Sequence, residues 1–336
     1  MAKPERELLA LTARDVYDML PMRDCIRIMA EALAALAEGR AHLPLRSVMS
    51  IPDGRGVLAM MPGFIWGDGR SDAALGFKAV SVFPGNAERG VDTHQGTVAL
   101  LDADTGELRA VMDGGAITAI RTAAVSGVAT DRLARKDAAT AAILGAGVQA
   151  RTHLEALASV RQLQGVRVWS RKPERAREFV ALQRSKYRFP VEAVPTAEAA
   201  VREADIVTTV TASPDPVVSR SWVKPGVHIN AVGSSTRAAR ELDSATVAAA
   251  RVFVDSRESA MAEAGDLLIP IQEGAITAAH IVAELGEVVA GKQPGRRSPG
   301  EITLFKSLGL AIEDVVAAAF VVRHATQTRR GRSVAW

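Results

Sequence analysis

Cysteine is almost absent. Cys25 is the single one in 336 residues, which excludes an intramolecular disulfide framework, and its place in an amphipathic helical pattern makes it a small buried hydrophobe. Apolar runs long enough to span a bilayer are missing as well. The start, Met1-Ala2-Lys3-Pro4-Glu5-Arg6-Glu7, carries both charge signs without the apolar core of a signal peptide, so no membrane partner and a cytoplasmic location are expected. Charge of one sign is not in excess. Forty-one Lys and Arg against 38 Asp and Glu give a formal net charge of +3, too small to argue for nucleic acid. The basic cluster Arg329-Arg330-Gly331-Arg332 reads as a frayed terminus. His42, His94, His153, His228, His280 and His324 show no ligand spacing and no cysteine cluster to join, so no metal is expected. Repeats and low-complexity segments are also lacking. What is left is a globular composition, 48% hydrophobic and 24% charged, in a chain long enough for two domains.

The first third reads as one unit. A helix is expected from Pro21 to about Ala37, with proline at its first position and Gly39 just past its end. Short strands follow at Gly56–Met61, Ala79–Phe83 and Thr97–Leu101. The loop Asp102-Ala103-Asp104-Thr105-Gly106 leads to Leu108–Met112, completing a mostly antiparallel sheet. From about Thr122 strands and helices alternate, through Ala141–Leu144, Val166–Trp169, Asp205–Thr211, Val227–Val232 and Val252–Asp255, which implies parallel pairing. The segment from Ile302 to about Thr328, apolar at Leu304, Phe305, Leu308, Ile312, Val315, Val316 and Ala319, is expected to be one long helix that returns to the first domain.

Chemistry enters at Gly145-Ala146-Gly147-Val148-Gln149-Ala150. The stretch follows an apolar strand and opens a helical pattern through Leu154, Leu157 and Ala158. Glycines there permit a tight turn and close backbone approach, the free N–H groups of the helix face a pyrophosphate, and Ala150 takes the third small position. Gly145, Gly147, Val148 and Gln149 are therefore candidate cofactor residues. At the end of the next strand an NAD-binding unit offers Asp or Glu to the ribose 2′-hydroxyl. Here the chain reads Ser170-Arg171-Lys172, with Arg175 one turn further on. A hydroxyl and three cations suit a 2′-phosphate, so NADP(H) is favoured over NAD(H). The alternative for the three cations is a solvated helix start.

Taken together, Pro44-Leu45-Arg46, Gly76-Phe77-Lys78-Ala79-Val80, Thr93-His94-Gln95-Gly96, Ala119-Ile120-Arg121-Thr122-Ala123-Ala124, the glycine turn, His228-Ile229-Asn230-Ala231-Val232-Gly233 and Phe305-Lys306-Ser307-Leu308-Gly309-Leu310-Ala311-Ile312-Glu313-Asp314 resemble segments of the ornithine cyclodeaminase and mu-crystallin family, in family order and over nearly the whole chain. The resemblance implies an α/β protein with a Rossmann-type doubly wound parallel sheet over residues 122–311. It also implies an N-terminal α+β substrate and dimerisation domain over 1–121, completed by a C-terminal helix over 312–336, and a homodimer joined through the first domains. Roles follow by match: Arg46 and Lys78 at the substrate carboxylate and reacting nitrogen, Arg121 and Thr93 touching cofactor or substrate, and Leu308 touching substrate. Val148, Gln149, Ser170, Thr211, Ala231, Val232 and Ser307 match dinucleotide contacts. Read without the family, Arg46 is a surface charge, Lys78 a strand residue with its head at the surface, and Arg121 a partner of Asp113.

One departure decides between branches of the family. Cyclodeaminases resemble one another in a Gly-Gly/Ala-Asp segment whose Asp is the catalytic base, followed by Pro-Gly-Lys and Glu-Leu. This chain reads Gly233-Ser234-Ser235-Thr236-Arg237-Ala238-Ala239-Arg240-Glu241-Leu242-Asp243, which puts Ser235 at the Asp position, and a serine without an adjacent base accepts no proton at neutral pH. The stretch looks more like the mu-crystallin and ketimine reductase branch. The expectation is NADPH-dependent reduction of a C=N bond next to a carboxylate, on a small imino-acid substrate such as Δ1-pyrroline-2-carboxylate or Δ1-piperideine-2-carboxylate, with Lys78 as the catalytic residue. The alternatives are an amino-acid dehydrogenase or ornithine cyclodeaminase of the same family, and a non-catalytic binder of NADPH or a small ligand.

Overall fold

The computed structural model describes residues 7–67, 69 and 73–336. The charged start Met1–Arg6, read above for its lack of a signal peptide, lies outside the described residues. Two compact units divide the chain: Met1–Arg121 with Leu310–Trp336, and Thr122–Gly309.

The first unit is built on strands β1 (Glu7–Leu11), β2 (Ala41–His42), β3 (Ser47–Ser50), β4 (Val57–Ile65), β5 (Ala74–Val82), β6 (His94–Leu101) and β7 (Leu108–Asp113). They pair antiparallel except β1 with β7, which run parallel. Alternation decides which side chains face inward. The register partners Met61 in β4, Lys78 in β5, Val98 in β6 and Met112 in β7 share the buried face. The helix Ala311–Thr328 packs on β4, β5 and β6. Its close approach depends on the cross-strand partners Gly63 and Gly76. A Cβ on Gly63 would stand 3.2 Å from Ala311, and one on Gly76 would strike Ala99 O and sit 3.4 Å from Val315. The helix Met22–Ala37 starts just after Pro21, which is its extended N-cap rather than its first helical residue, and Cys25 within it is buried.

The second unit carries a parallel sheet of β8 (Thr140–Leu144), β9 (Gly165–Trp169), β10 (Val191–Ala193), β11 (Ile206–Thr209), β12 (His228–Ala231), β13 (Ala250–Val254), β14 (Ile281–Glu284) and β15 (Ile302–Lys306). Their spatial order is β10-β9-β8-β11-β12-β15-β13-β14. The order reverses between β8 and β11, the switch point at which doubly wound sheets open their ligand crevice. Successive strand residues feed opposite faces: Ala142, Leu144, Val207 and Ile229 join one core, while Ala141, Ile143, Val166 and Ile206 join the other. A buried polar chain crosses one face, with His228 3.0 Å from Thr303 Oγ1 and 3.1 Å from Asn230 Oδ1, and Asn230 donating to Thr130 at 3.0 Å.

Two expectations are corrected. The segment 302–328 is not one helix, because Ile302–Lys306 is a fully buried strand inserted between β12 and β13. A short apolar run buried on all sides has no period that separates strand from helix, and Gly309, at φ +84°, turns the chain before the helix starts at Ala311. The basic tail is not frayed. After Arg329 closes the helix in the left-handed region, β16 (Arg332–Ala335) pairs antiparallel with β1. Among the described residues, no helix is long and apolar enough to cross a membrane, and no group of three His, Cys, Asp or Glu is placed to hold a metal ion.

Candidate functional site

In the first unit, the inward face of β5 presents Lys78 to the first turn of the helix Ala311–Thr328. Lys78 Nζ lies 2.8 Å from Asp314 Oδ2 and 3.4 Å from Thr118 Oγ1. Arg121 donates through Nε to Asp314 Oδ1 at 2.9 Å and through Nη1 to Glu313 Oε2 at 2.6 Å. All four side chains are buried, and both carboxylates sit where the helix N-terminus favours negative charge. Two cations face two carboxylates, so this buried group is balanced. Burial is the main reason the Lys78 pKa falls to about 8; the Arg121 charge adds to the fall, Asp314 opposes it, and Arg46 lowers it further. Arg46, half-buried between β2 and β3, is near enough for its charge to act on Lys78. Beneath the cluster, burial pushes the Cys25 thiol well above its usual range, so it packs as a neutral side chain.

The alternative pairing of Arg121 with Asp113 does not occur. Asp113 instead accepts from Ala116 N at 2.7 Å, at the start of the helix Gly114–Leu133. Thr93 lies in the turn before β6, where its hydroxyl is 3.0 Å from His94 Nδ1 and its carbonyl accepts from Phe83 N. Glu313 and Asp314 were not singled out from the sequence. The available signal was two adjacent carboxylates inside an apolar helix, a pattern that requires buried cationic partners.

In the second unit the remaining candidates gather at the carboxyl ends of parallel strands. Gly145 follows β8 at φ +121°, and a Cβ there would stand 2.6 Å from Val210 O. Gly147 opens the helix Val148–Val160, has no atom within 4 Å of a built Cβ, and provides no side-chain cap. Ala150 is buried against the strand, Val148 is exposed and Gln149 half-buried. The turn thus leaves open backbone at a helix N-terminus, which fits a pyrophosphate. Ser170 directly follows β9 and its Oγ accepts from Lys172 N at 3.4 Å. Arg171 and Lys172 are exposed, as is Arg175, which lies 3.6 Å from Glu178. The first carboxylate after β9 is Glu174, in the following helix. Thr211 follows β11, Ala231 ends β12 with Val232 just after it, and Ser307 N donates to Ala231 O at 3.0 Å. Leu308 N and Gly309 N both donate to the buried Asp255 Oδ2. Ser235 is exposed, whereas its neighbour Ser234 is buried and donates to Ala239 O at 2.6 Å.

The model of the ornithine cyclodeaminase/mu-crystallin family matches residues 6–329. The chain belongs to this family. It is 38% identical over 328 residues to a Δ1-pyrroline-2-carboxylate reductase of Bacillus cereus, covering 97% of this chain and 99% of that one. It is 40% identical over 317 residues to the ketimine reductase mu-crystallin of Mus musculus, covering 93% and 95%. Among solved structures, the Δ1-pyrroline-2-carboxylate reductase of Thermococcus litoralis, in complex with NADH and L-proline, superposes with a TM-score of 0.93 at 40% identity, covering 97% of this chain and all of that one.

Proposed function

We propose that this chain, a nicotinamide-dependent oxidoreductase of C=N bonds, draws on NADPH and reduces a cyclic ketimine bearing a carboxylate on the imine carbon, giving an L-imino acid such as proline or pipecolate. The observation that carries the reading is the buried Lys78, 2.8 Å from Asp314 and with its pKa lowered to about 8. Such a lysine holds a proton at neutral pH and can give it up. The relatives named above supply the substrate class.

When bound, the reduced nicotinamide supplies the electron pair and hydrogen that the imine carbon takes up. Gly145, Gly147, Val148 and Gln149 would hold its pyrophosphate, and Thr211, Ala231, Val232 and Ser307 the other half of the dinucleotide. Ser170, Arg171 and Lys172, with Arg175 behind them, would meet the 2′-phosphate, since no carboxylate at the end of β9 repels it. Arg46, close enough to Lys78 for its charge to be felt there, would present its planar guanidinium to the substrate carboxylate, while Arg121 is held by Glu313 and Asp314. Lys78 keeps the substrate nitrogen protonated, or delivers the proton that the nitrogen gains as C=N becomes CH–NH. Leu308 would line the substrate's apolar part. Ser235, exposed and without a carboxylate in its place, supports reduction over cyclodeamination.

The reading includes a homodimer joined by the outer face of the first sheet. That face carries Met60 and, beside it at the edge, Met49 and Leu45, all more than a third exposed. Light scattering of the chain and of Met60→Lys tests this, and a monomeric parent overturns it. For the activity, NADPH oxidation is followed with Δ1-pyrroline-2-carboxylate and Δ1-piperideine-2-carboxylate, alongside ammonia release from L-ornithine with NAD. Oxidation without ammonia release is expected. Ammonia release from ornithine would overturn the assignment.

A further inference from the structure

A buried carboxylate with four hydrogen-bond donors lies in the second unit, at the end of the stretch Gly233–Asp243. Glu241 is completely buried. Its Oε1 accepts from Thr211 N and Thr211 Oγ1, both at 2.7 Å. Its Oε2 accepts from Thr209 Oγ1 and Gly233 N, again both at 2.7 Å. Four donors suit an ionised carboxylate, whose pKa burial and the Asp266 charge raise. The donors come from two different segments, the end of β11 with its following loop and the loop after β12. One side chain therefore fixes the distance between them.

The surroundings hold Glu241 itself in place. Asp266 Oδ1 accepts from Glu241 N at 2.7 Å and Leu242 N at 3.1 Å, while its Oδ2 lies 2.9 Å from Lys306 Nζ. Lys306 also donates to Ser234 O. Only glycine fits at 233, because a Cβ there would collide with Thr211 backbone and stand 2.5 Å from Glu241 Oε1. The loop 233–242 is thus pinned at both ends by charges that water does not reach.

The two loops joined by Glu241 have a definite place in a doubly wound sheet. A dinucleotide lies across the switch point, one half on each side. The glycine turn after β8 and the Ser170 end of β9 take the pyrophosphate and the adenosine side, which leaves the loops after β11 and β12 to the nicotinamide side. Resting on the dinucleotide reading above, we infer that Glu241 is a positioning residue that sets the spacing of the Thr211 and Gly233 loops for the nicotinamide half of the cofactor, without touching it. A glutamine in its place retains the shape but turns an N–H₂ toward an N–H or hydroxyl donor, so at least one of the loops is released.

The test is calorimetric titration of the intact protein and of Glu241→Gln with two ligands: NADPH, and 2′-phospho-ADP-ribose, which lacks the nicotinamide ring. The expected result is NADPH affinity weakened by roughly tenfold or more, with the ring-less ligand held within about twofold. Equal weakening of both ligands, or no change in either, would overturn the inference, the first by showing general damage to the sheet and the second by showing loops that do not depend on Glu241. A parent protein that binds neither ligand would overturn the dinucleotide reading, and this inference with it. If Glu241→Gln does not fold, Thr209→Val, which deletes one of the four donors at a residue outside the proposed cofactor contacts, reads the same split at smaller amplitude.

Discussion

Lys78 and Arg121, 43 positions apart in the chain, are joined by one carboxylate: Asp314 Oδ2 lies 2.8 Å from Lys78 Nζ, and Asp314 Oδ1 accepts from Arg121 Nε at 2.9 Å. Replacing Asp314 by Asn leaves two cations facing one carboxylate in a buried group. Asp314 raises the Lys78 pKa against burial and the two arginines, so its loss moves that pKa below about 8. The alkaline limb of the reductive pH–rate profile then shifts to lower pH, and denaturant unfolding shows a loss of about 3–5 kcal/mol. An unmoved limb would separate Lys78 from the proton transfer.

Lys78→Ala tests the acid role directly. Turnover is expected to fall by about 10²–10⁴ while NADPH affinity, measured by titration, stays the same. In the parent enzyme the rate falls as pH rises through about 8, because the ammonium form is the acid. A variant that keeps normal turnover excludes this role.

Cofactor choice rests on Arg171 and Lys172. Replacing both with alanine is expected to raise KM for NADPH about tenfold or more and leave KM for NADH within roughly twofold, since only the former carries a 2′-phosphate. Equal effects on both cofactors would refute the phosphate role.

The two glycines of the turn after β8 should respond differently to alanine. Gly145→Ala forces φ +121° on an L side chain and places its Cβ 2.6 Å from Val210 O, so the melting temperature falls. Gly147→Ala meets nothing within 4 Å and has an ordinary φ of −93°, so the fold is unaffected and dinucleotide binding alone weakens. Melting curves and titrations on both variants check the contrast.

Two buried histidines make stability fall between neutral and mildly acid pH. Burial lowers His153 to about 4 and His228 to about 3, the latter helped by the Arg296 charge. In the neutral ring His153 Nδ1 donates to Gln149 O at 2.8 Å and Nε2 accepts from Ser126 Oγ at 3.0 Å, so both nitrogens are satisfied. An unfolded chain takes up these protons below its ordinary pKa of about 6.5. The stability they contribute is therefore complete above that value and declines as pH falls toward 4, by about 1.4 kcal/mol per pH unit for each histidine. Denaturant midpoints between pH 7.5 and 4.5 measure the slope, and His153→Phe should flatten it.

The local elements were legible in the sequence where pattern alone decides. The strand–glycine–helix of 141–158 and the alternation after Thr122 follow from periodicity, and the charge step Ser170-Arg171-Lys172 needs only its place after β9. The family itself was legible because its motifs occur in order along the chain. Tertiary structure decided what depends on partners distant in sequence. Ile302–Lys306 is a strand only because β12 and β13 leave a place for it, which no period in five buried residues reveals. Read singly, Lys78 is a strand residue with its head at the surface and Arg121 a partner of Asp113; folding β5 against the helix Ala311–Thr328 removes both from water together with Glu313 and Asp314, and in that low-dielectric setting each must find the others. Glu241 follows the same physics: the stretch Arg240–Asp243 is legible as a family segment, but only the meeting of two loops around one buried carboxylate gives Glu241 four donors.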